Sequence, residues 1–185
     1  MAMVKQSVWA AAIVALLGAA AAAPPSGARA DVSVLDLFDG RYAFAGGERE
    51  RSRLEDAIDD VVDRLNVFIR EIARGEIRRN VRPEGRIALE VVEGRRVRLS
   101  LGDWGPLDLR LDGRPRHMSG PDGSDTEVRA SLRGGRLLVV QRSSRGRREN
   151  WLSLSRDGEW LFNQIRIGAD QLPADIQYTL SYRRR

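Results

Sequence analysis

The chain has 185 residues, 42% hydrophobic and 31% charged, which fits one folded domain long enough to bury a core. With no cysteine and one histidine, His117, it excludes disulfides, thiolate metal centres, a thiol nucleophile and a multi-histidine active site. The net charge of +5 is modest, and Lys5 is the only lysine, so arginine is this chain's general cation.

Residues 1–30 have the organisation of a secretory leader. Lys5 supplies the positive start, Val8 to Ala23 is an uncharged apolar run, Pro24-Pro25-Ser26-Gly27 breaks it, and Ala28-Arg29-Ala30 offers a peptidase its small residues. The run is shorter than the ~20 apolar residues of a membrane span. Without a twin arginine, the general secretion route is expected. The expected mature chain, residues 31–185, begins at Asp31 and is extracytoplasmic, either periplasmic or secreted. It has no transmembrane span, and it falls to +3 because Lys5 and Arg29 leave without any acid. Such a protein does not meet the chromosome, so nucleic acid is not an expected partner.

Arg41 to Phe44 reads as a strand between Asp39-Gly40 and Gly46-Gly47. One long helix is expected over residues 52–74. Leu54, Ile58, Val61, Leu65, Phe68 and Ile72 recur at helical spacing, Ser52 and Glu55 form a capping box, and Gly75 supplies a stop. Asp56, Asp59, Asp60 and Asp63 crowd its first half and Arg70, Arg74 and Arg78 its end, as the helix dipole favours. Ala57, Val62 and Ile69 widen the apolar face beyond a coiled-coil seam, so the helix is expected to lie on a sheet.

From Gly85 onward the period becomes two. A turn at Glu93-Gly94-Arg95 pairs Val91 with Val97 and Leu89 with Leu99, which puts both apolar rows on one face. Leu107, Leu109 and Leu111 follow. After a turn-rich loop from Ser119 to Asp125, a two-residue turn at Gly134-Gly135 sets Leu132 against Leu137 and Ala130 against Val139. Asp157-Gly158 sets Leu154 against Leu161, Leu152 against Asn163 and Asn150 against Ile165, and Ile176, Tyr178, Leu180 and Tyr182 alternate to the end. The expected fold is mainly β with one long N-terminal helix (α+β). Its eight-stranded antiparallel meander forms a barrel or strongly curled sheet, with the helix packed against it. A membrane barrel is excluded because the second row carries Arg96, Arg98, Asp108, Arg110, Arg129 and Arg166.

With its leader, its Gly40-Arg41-Tyr42 and its run of antiparallel strands through Tyr182, the chain resembles small lipocalin-like barrels of the calycin type. Those usually carry Gly-x-Trp where Tyr42 stands, and their main helix follows the barrel. The resemblance implies a small apolar ligand.

Trp151, Trp160 and Phe162 form a second apolar row, expected to be covered by the helix stripe, or alternatively by a partner protein. Asn150 and Asn163 point to the interior with Leu152, Ile165 and Tyr178. These five are the candidate ligand contacts, although an internal hydrogen bond would equally satisfy the amides. Arg142, Arg145, Arg147 and Arg148 are the candidate anion-binding cluster, against the plainer reading of a solvated hairpin tip. His117 reads as a loop histidine, since no nucleophile is evident. The Asp122–Thr126 stretch lacks a calcium-loop pattern, and the acidic helix face reads as solvated. No catalytic residue, metal or cofactor is therefore expected. The leading function is a non-enzymatic, exported binding module for a small apolar or amphipathic ligand. The alternative is an interaction protein that takes an anionic envelope polymer, lipid headgroups or an acidic partner through its arginine-rich tips.

Overall fold

The computed structural model describes residues 34–185 apart from 93–94, 103–104 and 121–122. The expected leader lies outside the described residues, as do Glu93 and Gly94 of one expected turn and Asp122 of the candidate calcium stretch.

Among the described residues, ten antiparallel strands make one sheet. They are β1 (Gly40–Phe44), β2 (Arg86–Val92), β3 (Arg96–Leu101), β4 (Leu107–Arg110), β5 (Arg116–Ser119), β6 (Asp125–Arg133), β7 (Arg136–Ser143), β8 (Gly146–Leu154), β9 (Trp160–Gly168) and β10 (Ile176–Arg184). The order across the sheet is β4-β3-β2-β1-β10-β9-β8-β7-β6-β5. The chain thus meanders in two runs, and β1 joins them by pairing with both β2 and β10. Ten strands correct the expected eight: β1 enters the sheet, and β5 is an addition. Only four residues long and largely exposed, β5 has no apolar alternation to announce it and is held by its ladder to β6.

The expected registers hold. Leu89 faces Leu99 and Val91 faces Val97; Ala130 faces Val139 and Leu132 faces Leu137; Asn150 faces Ile165, Leu152 faces Asn163 and Leu154 faces Leu161. At the β6–β7 turn both Gly134 (φ 54°) and Gly135 (φ 74°) take the left-handed backbone that this two-residue loop requires. The sheet curls strongly, and its ends are stitched together rather than laddered. Asp112 bridges Ser131, the Gly113 amide donates to the Ala130 carbonyl at 2.9 Å, and Arg116 Nη1 donates to the Asp108 carbonyl at 3.1 Å.

One long helix over 52–74 is corrected to two: α1 (Gly47–Val62) and α2 (Val67–Asn80). Ser52 and Gly75 therefore lie inside helices and do not end them. The break is set by Asn66, whose extended backbone starts α2 and whose side chain accepts from the Phe68 amide at 3.0 Å. Arg70 Nη2 donates to the Asp63 carbonyl at 2.8 Å and closes the end of α1. The two helices then fold back on each other through ion pairs, Arg74 Nε to Asp59 at 2.9 Å and Arg78 Nε to Glu55 at 2.6 Å.

Only α1 enters the core. Leu54, Ile58, Val61 and Val62 are buried among the inward row of the sheet, each stabilising by about 1.5–3 kcal/mol. The Glu50 carboxylate ties α1 to β10 by accepting from the amide and hydroxyl of Ser181 at 2.7 and 2.6 Å. Helix α2 buries no residue. It is inside out: its arginines reach α1, while Val67, Phe68, Ile69 and Ile72 stand exposed. The expectation that the helix stripe covers the aromatic row is corrected too, because α1 packs on the inward face. On the outer face Trp151 is stacked under Arg136 (4.7 Å) and Trp160 lies near Arg183 (6.0 Å), while Phe162 remains exposed.

At the other end Arg184 closes the barrel floor. Its guanidinium donates to the carbonyls of Leu37 (2.7 Å), Asp39 (2.7 Å) and Gly158 (3.0 Å) and to the Tyr42 hydroxyl (2.8 Å), and it lies over the Tyr42 ring. Three segments distant in sequence converge on this one side chain. Arg184→Ala is expected to cost about 2 kcal/mol, since bonds to a charged group are each worth more than neutral ones. Thermal denaturation should register this as a melting point lower by roughly 4–8 °C.

Candidate functional site

Below its mouth the barrel is filled. Leu137, Leu152, Leu161, Ile165, Leu180 and Tyr182 are completely buried. The open space lies above them, in a cleft of about 640 Å³ between α2, the β7–β8 hairpin and the β9–β10 connection. One wall is Ala73 and Ile77 of α2 with Val81; the other is Ile167, Leu172 and Ile176. Thr126, Gln141 and Arg148 are the polar groups reaching it from the inward face, and Arg142, Arg145 and Arg147 stand at its rim.

Polar groups run from the cleft into the core. Gln141 and Arg148 are opposite one another on β7 and β8. Gln141 is only 5% exposed, and its Nε2 has no partner. Arg148 donates to Glu84 Oε1 at 3.3 Å and to Asn150 Oδ1 at 3.4 Å. The Glu84 carboxylate lies against Gly102, whose left-handed backbone (φ 51°) favours glycine there. Deeper still, Asn163 Nδ2 donates to Asn150 Oδ1 at 3.4 Å, while Asn150 Nδ2, Asn163 Oδ1 and the hydroxyls of Tyr178 and Tyr182 have no partner. Dry unpartnered polar atoms cost about 1–3 kcal/mol each.

The structure divides the five candidate ligand contacts from the cleft. Asn150, Asn163, Leu152, Ile165 and Tyr178 all face the interior, but they form the packed layer beneath the cleft and do not line it. Gln141, Thr126 and the α2 wall were missed. Gln141 lies two residues beyond Val139 on the same inward row, so parity alone could have found it. The arginine cluster is split as well. Arg148 is an inward residue in phase with Asn150 and not a tip residue, whereas Arg142 and Arg147 point outward and face one another across the hairpin. Arg147 lies 3.5 Å from Glu149 and 3.7 Å from Asp175. His117 is corrected from loop to strand: it lies in β5 with Nδ1 3.1 Å from Asp125 Oδ2, both side chains exposed. Among the described residues no three acidic or histidine side chains form a group that could hold a metal ion, and no helix is long and apolar enough to cross a membrane.

Burial raises the pKa of all three tyrosines. Tyr178 is pushed up to about 12 and Tyr182 further, with Glu84 adding to the rise. In Tyr42 burial outweighs the opposing charge of Arg184. The fold therefore favours the neutral phenols over an unfolded value of 10.0. Their contribution to stability is complete below pH 10 and is lost as pH rises towards about 12. An absorbance titration should show Tyr178 and Tyr182 still neutral at pH 10, followed by their ionisation together with unfolding.

No family model and no curated protein matches the sequence. Solved structures that share the fold include two from animals. A secretory abundant heat soluble protein from Ramazzottius varieornatus superposes with a TM-score of 0.50 at 9% identity, over 80% of this chain and 96% of that one. The apo form of lipid binding protein 8 from Caenorhabditis elegans gives a TM-score of 0.50 at 11% identity, over 81% and 96%. The chain therefore shares its curled β-barrel fold with these two proteins, its helices being set between β1 and β2.

Proposed function

We propose that this protein is an exported, non-enzymatic binding module for a small apolar or amphipathic ligand held in the cleft. The observation that carries the reading is the cleft itself, with its aliphatic side walls and a buried amide, Gln141, that has an unused donor on its inner surface. Pockets of this size with aliphatic walls and polar groups at the rim suit molecules that are mostly hydrocarbon with one polar end. A fold shared with a protein named for lipid binding supports the same reading.

Nile red, an uncharged dye, serves as the probe, because Trp151 and Trp160, the tryptophans among the described residues, face outward. The dye should brighten on binding, be displaced by long-chain lipids and raise the melting temperature. Ile77→Glu places a charge on the cleft wall and should weaken dye binding roughly tenfold. Gln141→Leu removes an unpartnered buried amide, so it should raise the melting point of the ligand-free protein while reducing the extra rise that a polar-headed ligand gives. A wild-type protein that neither brightens the dye nor is stabilised by any lipid would overturn the reading.

Export is proposed from residues 1–30 alone. Mass spectrometry of protein recovered from outside the cytoplasm should find Asp31 as the first residue; an intact leader there would refute cleavage.

A further inference from the structure

We infer that the ligand is a lipid with an anionic, phosphate-type headgroup, and that the head lies outward at the β7–β8 hairpin tip while the chain lies in the cleft. This deepens the proposed function and rests on it. The observation is a second hollow, about 380 Å³, that shares lining with the cleft; Arg142, Arg145 and Arg147 with Ser143, Ser144 and Gln171 outnumber its two carboxylates, Asp170 and Asp175. Guanidinium, hydroxyl and amide groups together form a donor set suited to phosphate oxygens.

The charge pattern assigns the head to this hollow and not to the cleft floor. Arg148 on the floor is matched by Glu84 at 3.3 Å. At the rim Arg142 and Arg147 occupy directly opposed positions on β7 and β8, an arrangement that repels. Two acids nearby are already engaged: Glu127, opposite Arg142, accepts from Arg129 Nε at 2.7 Å, and Asp175, 3.7 Å from Arg147, accepts from Arg166 Nε at 2.5 Å; the third, Glu149, stands 3.5 Å from Arg147, longer than a charge-assisted bond. An anion seated between Arg142 and Arg147 would turn that repulsion into two charge-assisted bonds. The backbone there is closely apposed, since a Cβ on Gly146 would come 2.4 Å from the Gly168 carbonyl, so the two halves of the hollow are held at a fixed separation. Arg142, Ser143, Arg145, Arg147 and Gln171 are among the residues that line both hollows, so one molecule can occupy them together.

The test compares two lipids with the same oleoyl chain as displacers of Nile red, lysophosphatidate and uncharged mono-olein, with inorganic phosphate as a third probe. Lysophosphatidate should compete about tenfold better, the scale of one bond to a charged group, and the advantage should shrink as salt rises. The double substitution Arg142→Gln with Arg147→Gln, both on the outer face, should abolish that advantage and leave mono-olein competition intact. Equal competition by the two lipids in the wild type would sink the headgroup assignment while the cleft reading stands. Failure of both lipids would sink the cleft reading as well. Stabilisation by inorganic phosphate alone, with no preference between the lipids, would make the hollow a free-phosphate site and also overturn the proposal. An advantage that survives in the double variant would place the head elsewhere.

Discussion

Every second side chain of ten curled strands points into one shared space, and α1 is what closes it. Four aliphatic residues of that helix complete the inward row, and Glu50 pins the helix to Ser181 of the last strand. Because α1 takes the apolar docking surface, α2 is left with a polar one. It is held by arginine–carboxylate contacts to α1 and buries no residue fully, with Ile77 packed against the core's edge. The cleft follows from that division. A second helix packed through its own aliphatic face would have filled the mouth; a helix docked through arginines stands over it, with Ala73 and Ile77 as the apolar part of its wall.

The polar chain beneath the cleft has the opposite character from the rest of the interior. Protein cores tolerate amides and hydroxyls when each is bonded, and the penalty for an unpartnered one grows as water is excluded. Here Arg148 and Glu84 satisfy one another near the cleft, whereas Asn150, Asn163, Tyr178 and Tyr182 each retain an unused group deeper down. A core designed only for stability would place leucine at those positions, as it does at Leu152 and Leu161 between them. Keeping Gln141 unpartnered at the boundary between packed core and open cleft is a cost of the same kind, and a ligand's polar atom there would offset it.

The strand registers were legible in the sequence because alternation and turn chemistry are local. Asp157-Gly158 and Gly134-Gly135 each fix a pairing within a dozen residues, and the apolar rows confirm it. The helix break was not legible from periodicity. Leu65, Phe68 and Ile72 continue the stripe of Leu54, Ile58 and Val61 in phase, so the pattern runs on through the turn while the chain reverses. Asn66, a strong helix-starting residue, was the signal that stood against it. Parity carried the inward row of β8 correctly from Leu154 to Asn150, and one more step would have placed Arg148 inside. Of the cleft itself only the floor was accessible in this way. Its walls come from α2 and from Leu172, and no local pattern says that these residues meet.

Arginine supplies almost every positive charge, so its abundance marks no site, and only its surroundings distinguish one arginine from another. Arg184 is used as a multidentate clasp on carbonyls, Arg74 and Arg78 as docking contacts between helices, and Arg136 as a plane laid on an indole. Each of these uses satisfies the guanidinium within the fold. The pair at the hairpin tip differs, because its two members oppose each other, two of the carboxylates around them serve Arg129 and Arg166, and Glu149 stands 3.5 Å from Arg147 without a close bond. Electrostatic satisfaction, read residue by residue, separates structural arginines from those whose charge is left for something outside the chain.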